Sequence, residues 1–276
     1  MKVIVAKHAG FCFGVKRALD TVLKATEKGE PLYTLGPLIH NPQVVEKLRS
    51  IGVEVVQDVK DVKHGWIVMP SHGVPKEVTK AAKDAGLKIV DVTCPFVAKV
   101  HKRAESLSQM GFHVVVVGDP GHSEVKGILS AAGENATTVS TPEEANAVEW
   151  PERVGIVAQT TQVEGHLRAI VEIISKKTAE AQAFDTICYA TRDRQQAVME
   201  LAPKVEALVV VGGRNSANTN RLREICESTN VPTYHIETAD ELQDEWFDGK
   251  QVVGLTAGAS TPDWIIEAVK ERLEGI

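Results

Sequence analysis

Several things are missing from this chain of 276 residues. No apolar run approaches the ~18 residues that a membrane-spanning helix needs, so no membrane association of that kind is expected. Positive charge is not in excess: 31 Lys and Arg are scattered among 37 Asp and Glu, for a net charge of −6. Binding along a nucleic-acid backbone needs a concentrated basic face, so that partner class is excluded and any bound anion must be small. No stretch rich in Pro, Gly or Ser divides the chain, so its parts should pack against one another rather than swing on tethers. No charged or amphipathic leader precedes the strand-like Lys2-Val3-Ile4-Val5-Ala6, and a cytoplasmic protein is expected.

Cysteine is scarce too, with four widely spaced residues. In a reducing compartment disulfides are rare, which leaves buried thiols, catalytic groups or metal ligands. For one cysteine alone the buried thiol is the default. Spacing reverses that default for Cys12, Cys94 and Cys188. A glycine follows each of them 24 places on (Gly36, Gly118, Gly212), and a polar residue 28 places on (His40, His122, Ser216). Repeats that each deliver one cysteine and one hydrogen-bonding side chain point to a pseudo-threefold centre where three thiolates meet one object. Cys226 shares none of this arithmetic and falls where an apolar residue would fit in the helical stretch Arg221 to Cys226, so it reads as a core thiol.

Each cysteine is preceded by a strand-like stretch (Val3 to Ala6, Lys88 to Asp91, Ala183 to Thr186) and followed by a helical pattern (Val15 to Lys28, Pro95 to Met110, Arg192 to Val205). Unbroken apolar runs then end at the repeated glycine: Leu32 to Leu35, Val114 to Val117, and Leu208 to Val211. Such runs are typical of buried parallel strands. A helix follows each (Pro42 to Ser50, Glu124 to Ala132, Thr219 to Ser228), then a third strand and loop (from Ile67, Gly155 and Val252), then helices beginning near Pro75, Val163 and Pro262. The expected fold class is α/β: three similar lobes with mostly parallel sheets, at 1–94, 95–188 and 189–276. The N-terminal strand is free to pair with the third lobe. Ligands in such sheets bind beyond the carboxyl ends of the strands, which is where every polar residue named here falls.

Three thiolates are one short of a fully ligated cubane iron-sulfur cluster, and they also suit a three-iron cluster or a zinc ion with an open fourth position. Helix N-termini beside Cys12, Cys94 and Cys188 favour the thiolate. The polar set around them is His40, His72, His122, Glu124, Thr160, Thr161, Ser216, Asn218 and Ser260. It is rich in neutral donors and poor in Lys and Arg, but helix N-termini with such help hold phosphate or diphosphate. Taken singly, the histidines could be solvated caps, Ser216 and Ser260 plain N-caps, and Glu124 a partner of a helix dipole. Recurrence in register outweighs those readings. Glu124 is the only carboxylate in these loops. Desolvation there would raise its pKa, which suits a general acid with Thr160 orienting the proton. His8, His64, His101, His113, His166 and His235 match no repeated place, and Gly212-Gly213-Arg214 lacks a dinucleotide spacing.

Seven stretches together resemble one family: Gly10-Phe11-Cys12-Phe13-Gly14-Val15, Ser71-His72-Gly73-Val74-Pro75, Asp91-Val92-Thr93-Cys94-Pro95, Gly121-His122-Ser123-Glu124, Gln159-Thr160-Thr161-Gln162, Thr186-Ile187-Cys188-Tyr189-Ala190-Thr191, and Asn215-Ser216-Ala217-Asn218-Thr219-Asn220-Arg221-Leu222. They are similar to the LytB/IspH family of 4-hydroxy-3-methylbut-2-enyl diphosphate reductases, of the non-mevalonate isoprenoid pathway. The resemblance spans essentially the whole chain in the family's order. It implies a trefoil enclosing a 4Fe-4S cluster held by Cys12, Cys94 and Cys188, with one iron lacking a protein ligand and open to the allylic hydroxyl. His40, His72, His122, Thr160, Thr161, Ser216, Ala217, Asn218 and Ser260 would bind the substrate and its diphosphate. Glu124 and Thr160 would supply protons, and reduced ferredoxin or flavodoxin the electrons. Ala217 departs from the family, many members of which carry a second serine there. Two rival readings are a zinc-dependent lyase or hydrolase acting on a phosphorylated substrate, and an iron-sulfur sensor of a diphosphate metabolite.

Overall fold

The computed structural model describes residues 1–276. Strand β1 (Lys2–Val5) leads through the loop carrying Cys12 into α1 (Phe13–Thr26), followed by β2 (Leu32–Leu35), α2 (Pro42–Ser50), β3 (Val53–Val56), β4 (Trp66–Met69), α3 (Lys76–Asp84) and β5 (Lys88–Asp91). The series recurs as α4 (Pro95–Gln109), β6 (His113–Val117), α5 (Ser123–Ala132), β7 (Ala136–Val139), α6 (Pro142–Ala147), β8 (Arg153–Ala158), α7 (Glu164–Lys177) and β9 (Glu180–Ala183). It recurs again as α8 (Tyr189–Leu201), β10 (Ala207–Val211), α9 (Ala217–Ser228), β11 (Thr233–Ile236), β12 (Val252–Ala257) and α10 (Asp263–Glu274). No helix is long and apolar enough to cross a membrane.

The strands form three four-stranded sheets, wholly parallel and of one topology: β3-β2-β4-β5, β7-β6-β8-β9 and β11-β10-β12-β1. In each, the final edge strand is the one that runs on to a cysteine: β5 to Cys94, β9 to Cys188 and β1 to Cys12. Strand β1 therefore completes the sheet built from the last third of the chain, with Lys2 opposite Val252 and Val5 opposite Leu255. The chain divides into two compact units, one of Met1–Lys16, Ile39–Glu46 and Tyr189–Ile276, the other of Arg17–Leu38 and Lys47–Cys188. The first holds the sheet containing β1; the second holds the other two.

Helix-covered parallel strands must be apolar on both faces. Every residue of β10 is buried, as are Val114 to Val117 of β6. Around β10, one face packs against Ile265, Val269 and Leu273 of α10, and the other against Val198, Leu222 and Cys226. Helix α4 buries Val97, Val100, Ala104 and Leu107, a stripe at helical period whose last three residues lie against β6 and Phe112.

Two of the three repeated glycines have a steric basis, whereas Gly36 has nothing within 4 Å and instead adopts a left-handed φ of 66°. A Cβ on Gly118 would meet Val125 Cγ2 at 2.8 Å and Gln159 Cβ at 2.9 Å, and one on Gly212 would meet Thr261 Oγ1 at 2.6 Å. Each is a place where the strand end passes within contact of the next helix or loop. Two expectations shift. The strand expected at Ala183 to Thr186 is β9 at Glu180–Ala183, because Asp185 turns the chain by accepting a hydrogen bond from Ile187 N at 3.2 Å. The helix expected at Arg192 to Val205 starts at Tyr189 and ends at Leu201, with a short 3-10 turn over Ala202–Lys204 where Pro203 sits.

Candidate active site

The two cysteines of the second unit are built alike. An aspartate three residues before each makes an Asx turn: Asp91 Oδ1 accepts from Thr93 N at 2.9 Å, and Asp185 Oδ1 from Ile187 N. The cysteine then occupies the N-terminal boundary of a helix, Cys94 as N-cap of α4 with Pro95 in the first turn, and Cys188 directly before α8. In the first unit Cys12 directly precedes α1, and its carbonyl accepts from Lys16 N at 3.0 Å.

A second regularity ties each cysteine to the loop after the third strand of a lobe. Cys94 N donates to Ser71 O at 2.8 Å, Cys188 N to Thr160 O at 2.9 Å, and Cys12 N to Ala259 O at 3.2 Å. The residues that follow those carbonyls are His72, Thr161 and Ser260. In every lobe, then, the cysteine backbone is hydrogen-bonded to the residue just before a candidate anion-binding side chain.

Helix N-termini position the polar residues 28 places after each cysteine, with one difference. His122 is the N-cap of α5 and Ser216 the N-cap of α9, where its Oγ accepts from Thr219 N at 3.4 Å. In the first repeat Asn41 takes the cap, its Oδ1 accepting from Val44 N at 3.0 Å, and His40 stands one residue outside. His40 is mostly buried and desolvation lowers its pKa, keeping it neutral. Its carbonyl oxygen would lie 2.5 Å from a Cβ on Gly213, so only glycine fits there. His122 Nδ1 accepts from Glu124 N at 3.1 Å, which puts the neutral ring's proton on Nε2. The His72 and His122 rings meet edge to face at 6.3 Å. Asn218 Oδ1 accepts from Ala259 N at 3.0 Å, and Ala217 is the first residue of α9.

Glu124 is 3% exposed in the first turn of α5. Its Oε1 accepts from Thr160 N at 2.7 Å and its Oε2 from Thr160 Oγ1 at 2.9 Å. Burial raises its pKa from 4.5 to about 7, against the opposite pull of the two Thr160 hydrogen bonds. Since Thr160 O also holds Cys188 N, one residue links the buried carboxyl to a cysteine. In the second unit, a continuous series runs from Cys188 through Thr160 and Glu124 to His122 and His72, whose neighbour Ser71 anchors Cys94.

Cys12, Cys94 and Cys188 form no disulfide, and each is partly exposed. Cys226 is fully buried, with its thiol pKa pushed up to about 12 by desolvation, which leaves it inert at neutral pH. No group of three or more His, Cys, Asp or Glu side chains gathers around a point that one metal ion could fill.

Three arginines escaped the sequence reading. Each helix that follows one cysteine braces the segment leading to the next. Arg17 of α1 donates to Thr93 O at 3.2 Å and Val92 O at 3.5 Å, and Arg103 of α4 lies over the Phe184 ring at 4.1 Å. Arg194 of α8, buried to 5% exposure, donates to Ala190 O at 2.7 Å and to Gly10 O. They fall five, nine and six places after their cysteines, so no spacing announces them. The aspartates did have a signal, Asp-x-x-Cys at both Asp91 and Asp185.

Residues 3–274 match the LytB protein family. A relative from Geotalea uraniireducens is 49% identical over 276 residues, covering 100% of this chain and 98% of its own, and one from Trichlorobacter lovleyi is 46% identical with 100% and 99% covered. Both are named 4-hydroxy-3-methylbut-2-enyl diphosphate reductase. A solved (E)-4-hydroxy-3-methyl-but-2-enyl diphosphate reductase, the terminal enzyme of the non-mevalonate pathway, is 45% identical with both chains fully covered and a TM-score of 0.73. The Plasmodium falciparum reductase structure is 27% identical at a TM-score of 0.94, covering 98% of this chain and 87% of that one. With the family matched from end to end on three sheets that each lead into one of the repeated cysteines, the chain belongs to the LytB family.

Proposed function

We propose that this chain reduces 4-hydroxy-3-methylbut-2-enyl diphosphate to isopentenyl and dimethylallyl diphosphates. The balance is two electrons and two protons taken up and one water released per turnover. The observation that carries the reading is the Glu124–Thr160 pair, a buried carboxyl with a near-neutral pKa held by the same residue that anchors Cys188.

Cys12, Cys94 and Cys188 fit a 4Fe-4S cluster with one iron lacking a protein ligand. None of the three is in a disulfide, all are partly exposed, and each stands at a helix N-terminus. When bound, the cluster supplies electrons one at a time, themselves delivered by reduced ferredoxin or flavodoxin. The carbonyls of Ser71, Thr160 and Ala259 anchor the three cysteine backbones through their amides.

The diphosphate is assigned to His40, His72, His122, Thr161, Ser216, Asn218 and Ser260, with the backbone N–H of Ala217 at the start of α9. Helix N-termini and neutral donors suffice for such an anion. With Nδ1 accepting from Glu124 N, the neutral His122 ring carries its donor on Nε2. With the diphosphate fixed, the allylic end is oriented toward Glu124, whose protonated form donates to the departing hydroxyl while Thr160 holds the carboxyl. The test is anaerobic turnover of the allylic diphosphate by reconstituted protein with reduced methyl viologen. Formation of both C5 diphosphates supports the reading. Phosphate release or hydration without electron uptake would replace it.

A further inference from the structure

A cluster of lysines lies away from these residues, in a cleft of about 470 Å³ within the second unit, between α3 and α4. Lys76, Lys80 and Lys83 stand at i, i+4 and i+7 on one face of α3, and Lys102 of α4 lines the cleft with them. Asp91 is the single carboxylate among the lining residues. This runs against the trend of a chain whose net charge is −6. Lys76 is engaged, with Glu105 Oε1 at 2.7 Å and Ala131 O at 3.2 Å. Lys80, Lys83 and Lys102 are exposed and have no ion pair. Like charges gathered in this way repel one another and add nothing to the isolated fold, but they steer an oppositely charged partner.

The cleft is also close to a cysteine. Thr93 lines it, and Cys94 is the next residue. His101 and Lys102 lie seven and eight residues further along α4, about 10–12 Å from Cys94 at ~1.5 Å per residue.

We infer that this lysine cleft is the docking surface for an acidic one-electron carrier protein, which it seats within a short distance of Cys94. The inference rests on the reductase reading. Each encounter transfers one electron, the carrier being oxidised by one; two encounters supply the pair that the substrate takes up with two protons as water leaves.

The test uses the cluster-reconstituted protein and a labelled, acidic two-iron ferredoxin, with Lys80→Glu, Lys83→Glu and Lys102→Glu combined in one variant. A control variant reverses Lys24, Lys60 and Lys204, exposed lysines outside the cleft. Fluorescence anisotropy reads binding, and turnover is driven either by reduced ferredoxin or by reduced methyl viologen, a small cation that gains nothing from basic docking. Steering of this kind changes association rates by about 10- to 1000-fold and fades as the screening length falls to about 10 Å near 0.1 M salt. The expected result is at least a tenfold loss of ferredoxin affinity and ferredoxin-driven kcat/KM in the cleft variant at low salt. Its salt dependence should flatten, while viologen-driven turnover stays unchanged and the control behaves as wild type. Equal loss in the control, or none in the cleft variant, overturns the docking surface. Wild type that binds ferredoxin through the cleft but fails to reduce the allylic diphosphate with viologen would sink the reductase reading and leave the docking surface standing.

Discussion

Replacing Glu124 by Gln isolates what the buried carboxyl does. Gln keeps the shape, accepts from Thr160 N through its oxygen and can donate from Nε2 to Thr160 Oγ1, so it copies the protonated acid without its proton. Raising the pKa from 4.5 to about 7 corresponds to roughly 3 kcal/mol at 1.36 kcal/mol per unit, and the group is too buried for solvent to screen that away. Between pH 4.5 and 7 the folded protein holds a proton that the unfolded chain releases, so this residue's contribution to stability falls as pH rises through that window. The acid form is the one needed for proton delivery. Wild-type kcat/KM should therefore be level below about pH 7 and fall tenfold per unit above it, and Glu124→Gln should lose about 10²- to 10⁴-fold. Infrared difference spectra between wild type and Glu124→Gln read the protonation directly, as a carboxylic-acid band that vanishes with a midpoint near pH 7. A carboxylate already ionised at pH 5, or a Gln variant with full turnover under saturating reductant, would refute the reasoning.

Thr160→Val removes the hydroxyl donor to Glu124 Oε2 while keeping the backbone N–H bond, so the Glu124 titration and the alkaline limb should both move upward, at a stability cost of about 1–3 kcal/mol. Gly127→Ala places a Cβ 2.9 Å from His101 Cε1, and overpacking of about 1–3 kcal/mol should outweigh the ~1 kcal/mol helix gain and lower the melting temperature; Gly165→Ala, with nothing within 4 Å, should raise it. Arg194→Met strips buried donors from the Gly10 and Ala190 carbonyls, so hydrogen exchange at Cys12 and Phe13 should quicken, and Arg194→Lys should restore it only in part because a point charge cannot span both oxygens.

What could be read from the sequence follows from where the physical signal was strong. The central strands β6 and β10 are buried on both faces, so their apolar runs stand out, and the helices near Pro42, Pro95 and Pro262 carry their own start signals. The edge strands β3, β7 and β11 escaped notice: each has four residues, half wet, with polar side chains such as Glu54, Thr137 and His235 breaking the run. At the site, the N-cap positions of His122 and Ser216 followed from a polar residue before an apolar helical pattern. The amide anchors of the cysteines were invisible because every amino acid but proline has the same N–H and every one the same C=O. The arginine braces were invisible because each reaches a segment 75 to 184 residues away in the chain.

The central claim is that three cysteines, and not the fourth, hold an iron-sulfur cluster. Anaerobic iron and sulfide analysis of wild type beside Cys12→Ser, Cys94→Ser, Cys188→Ser and Cys226→Ser tests it most directly. The account predicts four irons and four sulfides per chain in wild type and Cys226→Ser, and marked loss of both in the other three. Zinc in place of iron, or loss on changing Cys226 with retention on changing any of the others, would contradict it.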